Sequence, residues 1–297
     1  MSISRELRHF LIATFVINWL LAGAFFLSPF DYGGVAATIM AVTYMLVPGV
    51  VALVIDRRAG RKVRDSLWLK FKPNRWWVVA WLLPVFLAFA ALGAAVLMPG
   101  ISFDLGMEGF FEQLGSFLSE EEIDEAREQM EAFPSGLFIV IQLAQGLVFG
   151  ATLNAVFGLG EELGWRGLML RELAGRGFWK SAAIIGVIWG IWHAPLILQG
   201  HNYPEHPVIG VALMTLWCVA LSPLFSWVTL RSRSVIAAAI MHGTLNATFA
   251  FSFIFLDQII ILVTGLNGLI GIGVLVVANI LLFFVAPPML SEEDWPK

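Results

Sequence analysis

The sequence is poor in charged residues and almost free of cysteine. Asp, Glu, Lys and Arg together make up 13% of its 297 residues, about half the share that is usual in soluble globular domains. The single cysteine, Cys218, excludes an internal disulfide, and its apolar surroundings predict a buried structural thiol. Neither a soluble domain nor a disulfide-stabilised scaffold fits this composition.

Several catalytic signatures are missing as well. The sequence has no phosphate-binding glycine loop, no HExxH motif, and no serine or cysteine beside a histidine in a nucleophile motif. These absences argue against a nucleotide hydrolase and against a hydrolase with a side-chain nucleophile. Internal repeats and paired broken helices are also absent from the pattern, which argues against a transporter.

Long apolar runs are what the sequence does have. Hydrophobic residues make up 59% of the chain, and several runs exceed the roughly 18 apolar residues that mark a spanning helix. We therefore predict an all-α, polytopic membrane protein with eight transmembrane helices, the first of which is a retained signal anchor. The predicted spans are 10–30, 35–55, 76–98, 136–160, 178–198, 207–230, 235–256 and 258–286.

The basic residues alternate between the two sides of these spans. Of the 18 Lys and Arg residues, 17 fall on the side of the N-terminus, and the exception is Arg127. Because cytoplasmic loops carry an excess of Lys and Arg, both termini are predicted to be cytoplasmic. The chain is interpreted as a single integral membrane domain over residues 1–297, placed in the cell membrane.

The connection 99–135 differs from the others in its charge. Residues 104–131 contain ten acidic residues and one arginine, and Ser119 with Glu122 forms a capping-box pattern at the start of a helical segment. The connection is predicted to be an acidic, non-cytoplasmic loop with a helix. It is either a lid over the membrane domain or a surface helix that only links two spans.

Two adjacent glutamates interrupt the fourth span. Glu162 and Arg166 are four residues apart on one helical face, so they are predicted to pair. Glu161 points about 100° away and has no basic residue within a turn. An unpaired carboxyl inside the bundle is suited to taking a proton from water. The alternative is an ion pair that pins a helix end, with the second carboxyl reaching cytoplasmic water.

Two histidines are predicted to lie at the depth of these acids. If the chain turns near Arg176, Glu161 is 15 residues before the turn and His193 is 17 after it. Both are then about 22–26 Å up their helices, and His242 lies roughly 14 Å along the seventh span. His242 and Asn246 share a face of that span. One acid, two histidines and an amide are therefore predicted to converge from three helices.

This set of side chains predicts a hydrolase that acts on a carbonyl, most simply on a peptide bond. A carboxylate with a histidine can activate water, and a histidine with an asparagine can donate hydrogen bonds to a developing oxyanion. Glu161, His193 and His242 are also a ligand set for a catalytic zinc. The residues alone leave both versions open.

Three short motifs resemble a known family. EELGWRG at 161–167 matches EExxxR, WGIWH at 189–193 matches an aromatic residue four places before a histidine, and HGTLN at 242–246 matches HxxxN. Together they resemble the CAAX prenyl protease type II family, in a wider group with bacteriocin-processing and bacteriocin-immunity-related membrane proteins. Trp189 stands where the prenyl proteases commonly have Phe, which resembles the bacterial branch and puts a prenylated substrate in doubt.

The resemblance implies an eight-helix intramembrane endopeptidase with a catalytic core at about 136–256 and a site reached from the cytoplasmic side. It implies that Glu161, assisted by His193, activates water, and that His242 and Asn246 form the oxyanion hole. Supporting roles fall to Glu162, Arg166 and Trp189. No cofactor is certain, and zinc is the alternative.

The expected partners are the lipid bilayer and a membrane-associated peptide or protein substrate, with no nucleic acid. A non-catalytic immunity or scaffold protein with the same fold is the competing hypothesis. His201 and His206 lie in the short connection after the fifth span and are predicted to be ordinary solvated loop residues.

Overall fold

A computed structural model describes residues 3–30, 34–115, 118–286, 289–290 and 293. Within these ranges the chain is helical, and its only β-type contact is an isolated antiparallel bridge between Phe103 and Leu256. The predicted all-α class is therefore confirmed for the described part of the chain. The last residues, with Lys297 of the basic count, lie outside it.

Six helices of the described residues are long and apolar enough to cross a membrane, and two shorter ones are apolar. The six are α1 (Arg5–Phe26), α2 (Val35–Arg58), α4 (Arg75–Val96), the continuous helix Gly136–Arg176, α12 (Pro207–Ser232) and Val235–Ser252, of which Val235–Thr248 is α13. The two shorter helices are α10 (Phe178–Trp192) and α14 (Leu269–Val285). Each predicted span overlaps one of these eight, but a count of eight spans stays a prediction.

The last predicted span begins too early. Residues 253–268 form turns and bends, and α14 begins only at Leu269. The reason is local: Gly265 has a φ of +77°, and Gly268 is the extended N-cap residue of α14. Both glycines lie in the stretch TGLNG, a turn-forming composition inside an apolar run.

The acidic connection contains two helices, α5 (Glu108–Leu114) and α6 (Glu120–Glu131). The predicted capping box between Ser119 and Glu122 is present. Arg127 binds both carboxylate oxygens of Glu108 at 2.7 and 2.8 Å, and this hydrogen-bonded pair lowers the pKa of Glu108. The connection is anchored to the bundle, because Phe111 is buried in one cluster with Phe251 and Phe255.

The helix that carries the two glutamates changes its winding twice. α7 (Ser135–Phe149) passes into a π-helical segment, Gly150–Asn154, and then into α8 (Ala155–Glu162). A second π-helical segment, Leu163–Met169, follows directly and leads into α9 (Leu170–Leu173). Single π turns inside α-helices occur frequently at functional sites. Glu161 and Glu162 therefore lie on a short α-helical piece between two π-helical ones.

The predicted hairpin near Arg176 is confirmed. A 3₁₀ turn at Ala174–Arg176 is followed by Gly177, whose φ of +76° favours glycine, and α10 begins at the next residue. α10 ends at Trp192, after which His193 leads into the short helix α11 (Ala194–Ile197). This hairpin brings His193 back to the level of Glu161.

Glycines let the helices around the glutamates approach closely. A Cβ on Gly158 would lie 3.0 Å from the Cβ of His242, and one on Gly243 would meet the carbonyl oxygen of Gly150. Small residues at helix interfaces allow such backbone contacts in membrane proteins. α8 and α13 therefore pack directly at the position where the acids face His242.

The contact between α2 and α8 offers a stability test. A Cβ on Gly49 would lie 2.5 Å from the carbonyl oxygen of Gly160. We expect Gly49→Ala to lower the free energy of unfolding by about 1–3 kcal/mol, because the backbones must move apart. Gly93→Ala in α4 is the matched control, since its Cβ would meet nothing within 4 Å. Thermal unfolding in detergent should separate the two variants, and equal melting temperatures would refute the close contact.

Candidate active site

Glu161, His193, His242 and Asn246 line one cavity of about 300 Å³ between α2, α8, α10, α12 and α13. The sequence-based expectation that these side chains converge therefore agrees with their placement. The wall of the cavity also contains five large aromatic side chains, namely Tyr44, Trp189, Trp192, Trp217 and Phe249. Few polar groups in an apolar cavity are typical of sites that orient a ligand.

The carboxyl of Glu161 is buried, with 2% of the residue exposed, and two indoles hold it. Its Oε2 accepts hydrogen bonds from Nε1 of Trp189 at 2.7 Å and from Nε1 of Trp165 at 3.3 Å. Its Oε1 lies 3.8 Å from Nε2 of His242. One oxygen is therefore fixed by donors, while the other faces a histidine.

Glu162 has a second partner in addition to the predicted one. Nη1 of Arg166 lies 3.2 Å from Oε1 and 3.1 Å from Oε2 of Glu162, so the predicted pair forms. Nδ1 of His242 lies 2.8 Å from the same Oε1. Because a carboxylate only accepts hydrogen bonds, Nδ1 carries the proton and Nε2 faces Glu161. Glu162 thus sets the orientation of His242.

Arg166 is enclosed by aromatic rings. Its guanidinium carbon lies 4.5 Å from the ring centre of Trp189 and 4.7 Å from that of Phe225, and the residue is 1% exposed. Cation–π contacts of this kind stabilise a desolvated guanidinium. Arg166 is therefore a charge inside the bundle and does not flank the membrane. Without it, 16 of the 17 Lys and Arg residues predicted on the side of the N-terminus remain as evidence for the orientation.

His193 is held by the same tryptophan that holds Glu161. Its Nδ1 lies 2.8 Å from the backbone carbonyl oxygen of Trp189. Since a carbonyl only accepts, Nδ1 is the donor, and Nε2 of the neutral ring is left as an acceptor. Asn246 follows His242 by one turn of α13, and it is exposed within the wall of the cavity.

Residues 131–248 match the family model described as Rce1-like, type II CAAX prenyl endopeptidase. The similarity to this family is confined to those residues, which are less than half of the chain. The matched region contains all of the four converging side chains and both members of the buried ion pair.

A curated relative supports the assignment to the Rce1-like family. Over 132 residues the chain is 30% identical to the protein named CAAX prenyl protease 2 of Methanococcus maripaludis. The aligned part covers 41% of this chain and 45% of that relative, so the match spans less than half of either protein.

Three side chains of this Rce1-like site were missed by sequence reasoning. Trp165 could have been found, because it is four residues after Glu161 in the first motif. Tyr44 comes from α2, outside the motifs, and its hydroxyl donates to the carbonyl oxygen of Trp192 at 2.7 Å. His201 was predicted to be a solvated loop residue, and this was wrong: it is half-buried in the wall of the cavity, whereas His206 is exposed.

The side chains of this Rce1-like site do not fit the zinc version of the prediction. Among the described residues, no three His, Cys, Asp or Glu side chains come together as a set that could hold a metal. The hydrogen bonds from Nδ1 of His242 to Glu162 and from Nδ1 of His193 to a backbone carbonyl leave only the two Nε2 atoms for a ligand, and these Nε2 atoms do not form a three-residue metal set with Glu161. The roles proposed for Glu161, His193 and His242 therefore need no metal.

The cavity of this Rce1-like domain lies in the half of the bundle that is remote from the basic residues. Besides the converging side chains, its wall contains Ala41 from the first half of α2 and His201 from the connection after α11. Arg57 and Arg58 are at the opposite end of α2. The orientation of the bundle in the membrane is itself predicted, so the expectation of a site reached from the cytoplasmic side stays a prediction.

Proposed function

We propose that this protein is an intramembrane endopeptidase that hydrolyses a peptide bond in a membrane-associated peptide or protein of the cell membrane. The observation that carries the proposal is the environment of Glu161: a buried carboxyl with one oxygen fixed by two indoles and the other facing His242, in a cavity that also contains His193 and Asn246. The similarity of residues 131–248 to the Rce1-like family supports a protease.

In the proposed first step, Glu161 acts as the general base. Its carboxylate takes a proton from a water molecule while the water oxygen attacks the carbonyl carbon of the substrate. His193 assists, because its Nε2 can accept a hydrogen bond from the same water. The bonds from the indoles to Oε2 keep the base in position before the substrate arrives, which reduces the reorganisation during the reaction.

The negative charge that develops on the substrate oxygen is assigned to His242 and Asn246. The amide of Asn246 is a hydrogen-bond donor, and His242 donates from Nε2 when its ring carries both protons. With a positive His242, the buried cluster of Glu161, Glu162, Arg166 and His242 has two negative and two positive charges. A neutral total makes this protonation state favourable in a desolvated site.

The second step breaks the peptide bond. When the tetrahedral intermediate collapses, the bond between the carbonyl carbon and the amide nitrogen breaks, and Glu161 returns its proton to the leaving amine. The products are a carboxylic acid, which keeps the second proton of the water, and an amine, and Glu161 is again ionised. The reaction consumes one water molecule and needs no co-reactant.

Asn246 provides a test of this function that leaves the fold intact. Removal of one oxyanion donor costs about 10²–10³-fold in kcat, so we expect a loss of this size for Asn246→Ala. Asn246 is exposed, and the variant should therefore fold normally. The assay is cleavage of a synthetic peptide library by the purified protein in lipid vesicles, read by mass spectrometry. Gln199→Ala, an exposed amide outside the cavity wall, is the control, and equal rates for both variants would contradict the proposed role.

A further inference from the structure

The wall of the active-site cavity extends from Glu161 in one direction only. It includes Ala41 in the first half of α2 and Met214 in the first half of α12. It also includes Phe249, which follows the last residue of α13. These helices alternate in direction, so an early residue of α2 or α12 lies on the same side of the bundle as a late residue of α13. The cavity therefore leads to the side where α2 and α12 begin.

A second hollow continues the cavity on that side. It has a volume of about 370 Å³ and shares His201, Asn202 and Phe249 with the first one. Its outer wall contains Phe110 and Gln113 of α5. The two hollows together form a path from the buried carboxyl of Glu161 to the acidic connection. This connection contains Arg127, the one flanking Lys or Arg of the described residues that is not on the opposite side.

The opposite end of the bundle is closed by packed side chains. Trp165, Leu168 and Met169 follow Glu161 toward that end, and each is 0% exposed. Beyond them, Arg171 binds both carboxylate oxygens of Asp56 at 2.8 Å, and Asp56 is itself 0% exposed. The wall of the cavity that includes Glu161 contains no residue from this end. Water and substrate therefore have a route to Glu161 from one side of the bundle.

We propose that the active site opens to the non-cytoplasmic side of the membrane, past His201 and Asn202, and that the substrate is a peptide segment that reaches Glu161 from that side. The assignment of the sides follows from the basic residues, because the 15 flanking Lys and Arg residues of the described chain other than Arg127 lie at the closed end and mark it as cytoplasmic. The access route follows from the fold alone. Only the statement that a substrate uses this route rests on the proposed function.

Cysteine labelling can test this route, since the natural Cys218 is fully buried. Met45→Cys places a thiol in the cavity wall. Its neighbour Leu46, 37% exposed on the surface of the bundle and absent from the cavity wall, supplies the control variant Leu46→Cys at the same depth. Glu205→Cys and Arg176→Cys mark the two ends of the bundle. The probe is a charged, membrane-impermeant methanethiosulfonate, applied to intact spheroplasts and to inverted vesicles.

We expect Met45→Cys and Glu205→Cys to react in spheroplasts at least tenfold faster than in inverted vesicles, and Arg176→Cys to show the reverse. Leu46→Cys should react slowly in both. The proposal is overturned if Met45→Cys reacts from the side of Arg176→Cys or from neither side, or if Arg176→Cys reacts in spheroplasts. Ala41→Cys, a smaller change in the same wall, replaces Met45→Cys if that variant fails to fold.

The labelling result and the proposed hydrolysis can fail separately. Cleavage of the peptide library by protein dissolved in detergent does not depend on the side of access. A cavity that reacts from the cytoplasmic side, together with intact cleavage, would reject the access route and leave the endopeptidase standing. A cavity that reacts from the non-cytoplasmic side in a protein without cleavage activity would support the access route and reject the endopeptidase function.

Discussion

Replacement of Glu161 by glutamine is expected to abolish peptide cleavage while the protein remains folded. The amide cannot take a proton from water, and general base catalysis contributes about 10²–10⁴-fold to a rate. The side-chain oxygen of glutamine can still accept the hydrogen bond from Trp189, which at 2.7 Å is the shorter of the two indole contacts to Glu161. The shape and the main anchor of the side chain are therefore kept, and the loss should appear in kcat.

The matched control for Glu161→Gln is Glu128→Gln, the same substitution at an exposed position of α6. Both variants should elute and unfold like the wild type, and only the first should lose cleavage of the peptide library. A Glu161→Gln protein that keeps more than about a tenth of the wild-type rate would rule out its role as the base. A wild-type protein that cleaves nothing in the library would favour the immunity or scaffold hypothesis.

Removal of the charge of Arg166 should produce the largest loss of stability. Its side chain is fully buried beside Glu162, and loss of one partner of a buried ion pair costs about 3–5 kcal/mol because the other charge stays uncompensated. Arg166→Met keeps much of the apolar volume between Trp189 and Phe225 but has no charge. Reversible unfolding in mixed micelles with increasing denaturing detergent measures the change.

A double variant separates the effect of charge from the effect of shape. Glu162→Gln combined with Arg166→Met removes both charges of the pair, and we expect it to be more stable than Arg166→Met alone. Arg127→Met, which removes the half-buried partner of the exposed Glu108 but can keep an apolar contact with Phe111, should change the stability much less than Arg166→Met. If the double variant is no more stable than Arg166→Met, packing against the two aromatic rings dominates and the charge argument is wrong.

The helices could be predicted from the sequence because long apolar runs are typical of helices that span a lipid bilayer. α1, α2, α4 and α12 appear close to their predicted positions, and the hairpin at Gly177 follows from its glycines and basic residues. The start of α14 was misplaced, since the turn at 265–268 interrupts a run that stays apolar throughout. Hydropathy does not distinguish an apolar helix from an apolar turn packed inside the bundle.

The sequence by itself determined the pair of Glu162 and Arg166 and the faces of the helices that carry Glu161 and His242, because a helical period relates residues within one turn. Only the tertiary structure decided that His242 binds Glu162 as well as facing Glu161, and that Tyr44 and His201 join the wall of the cavity. It also decided which end of the cavity is closed. These features depend on contacts between residues that are far apart in the chain, and local periodicity contains no information about such distances.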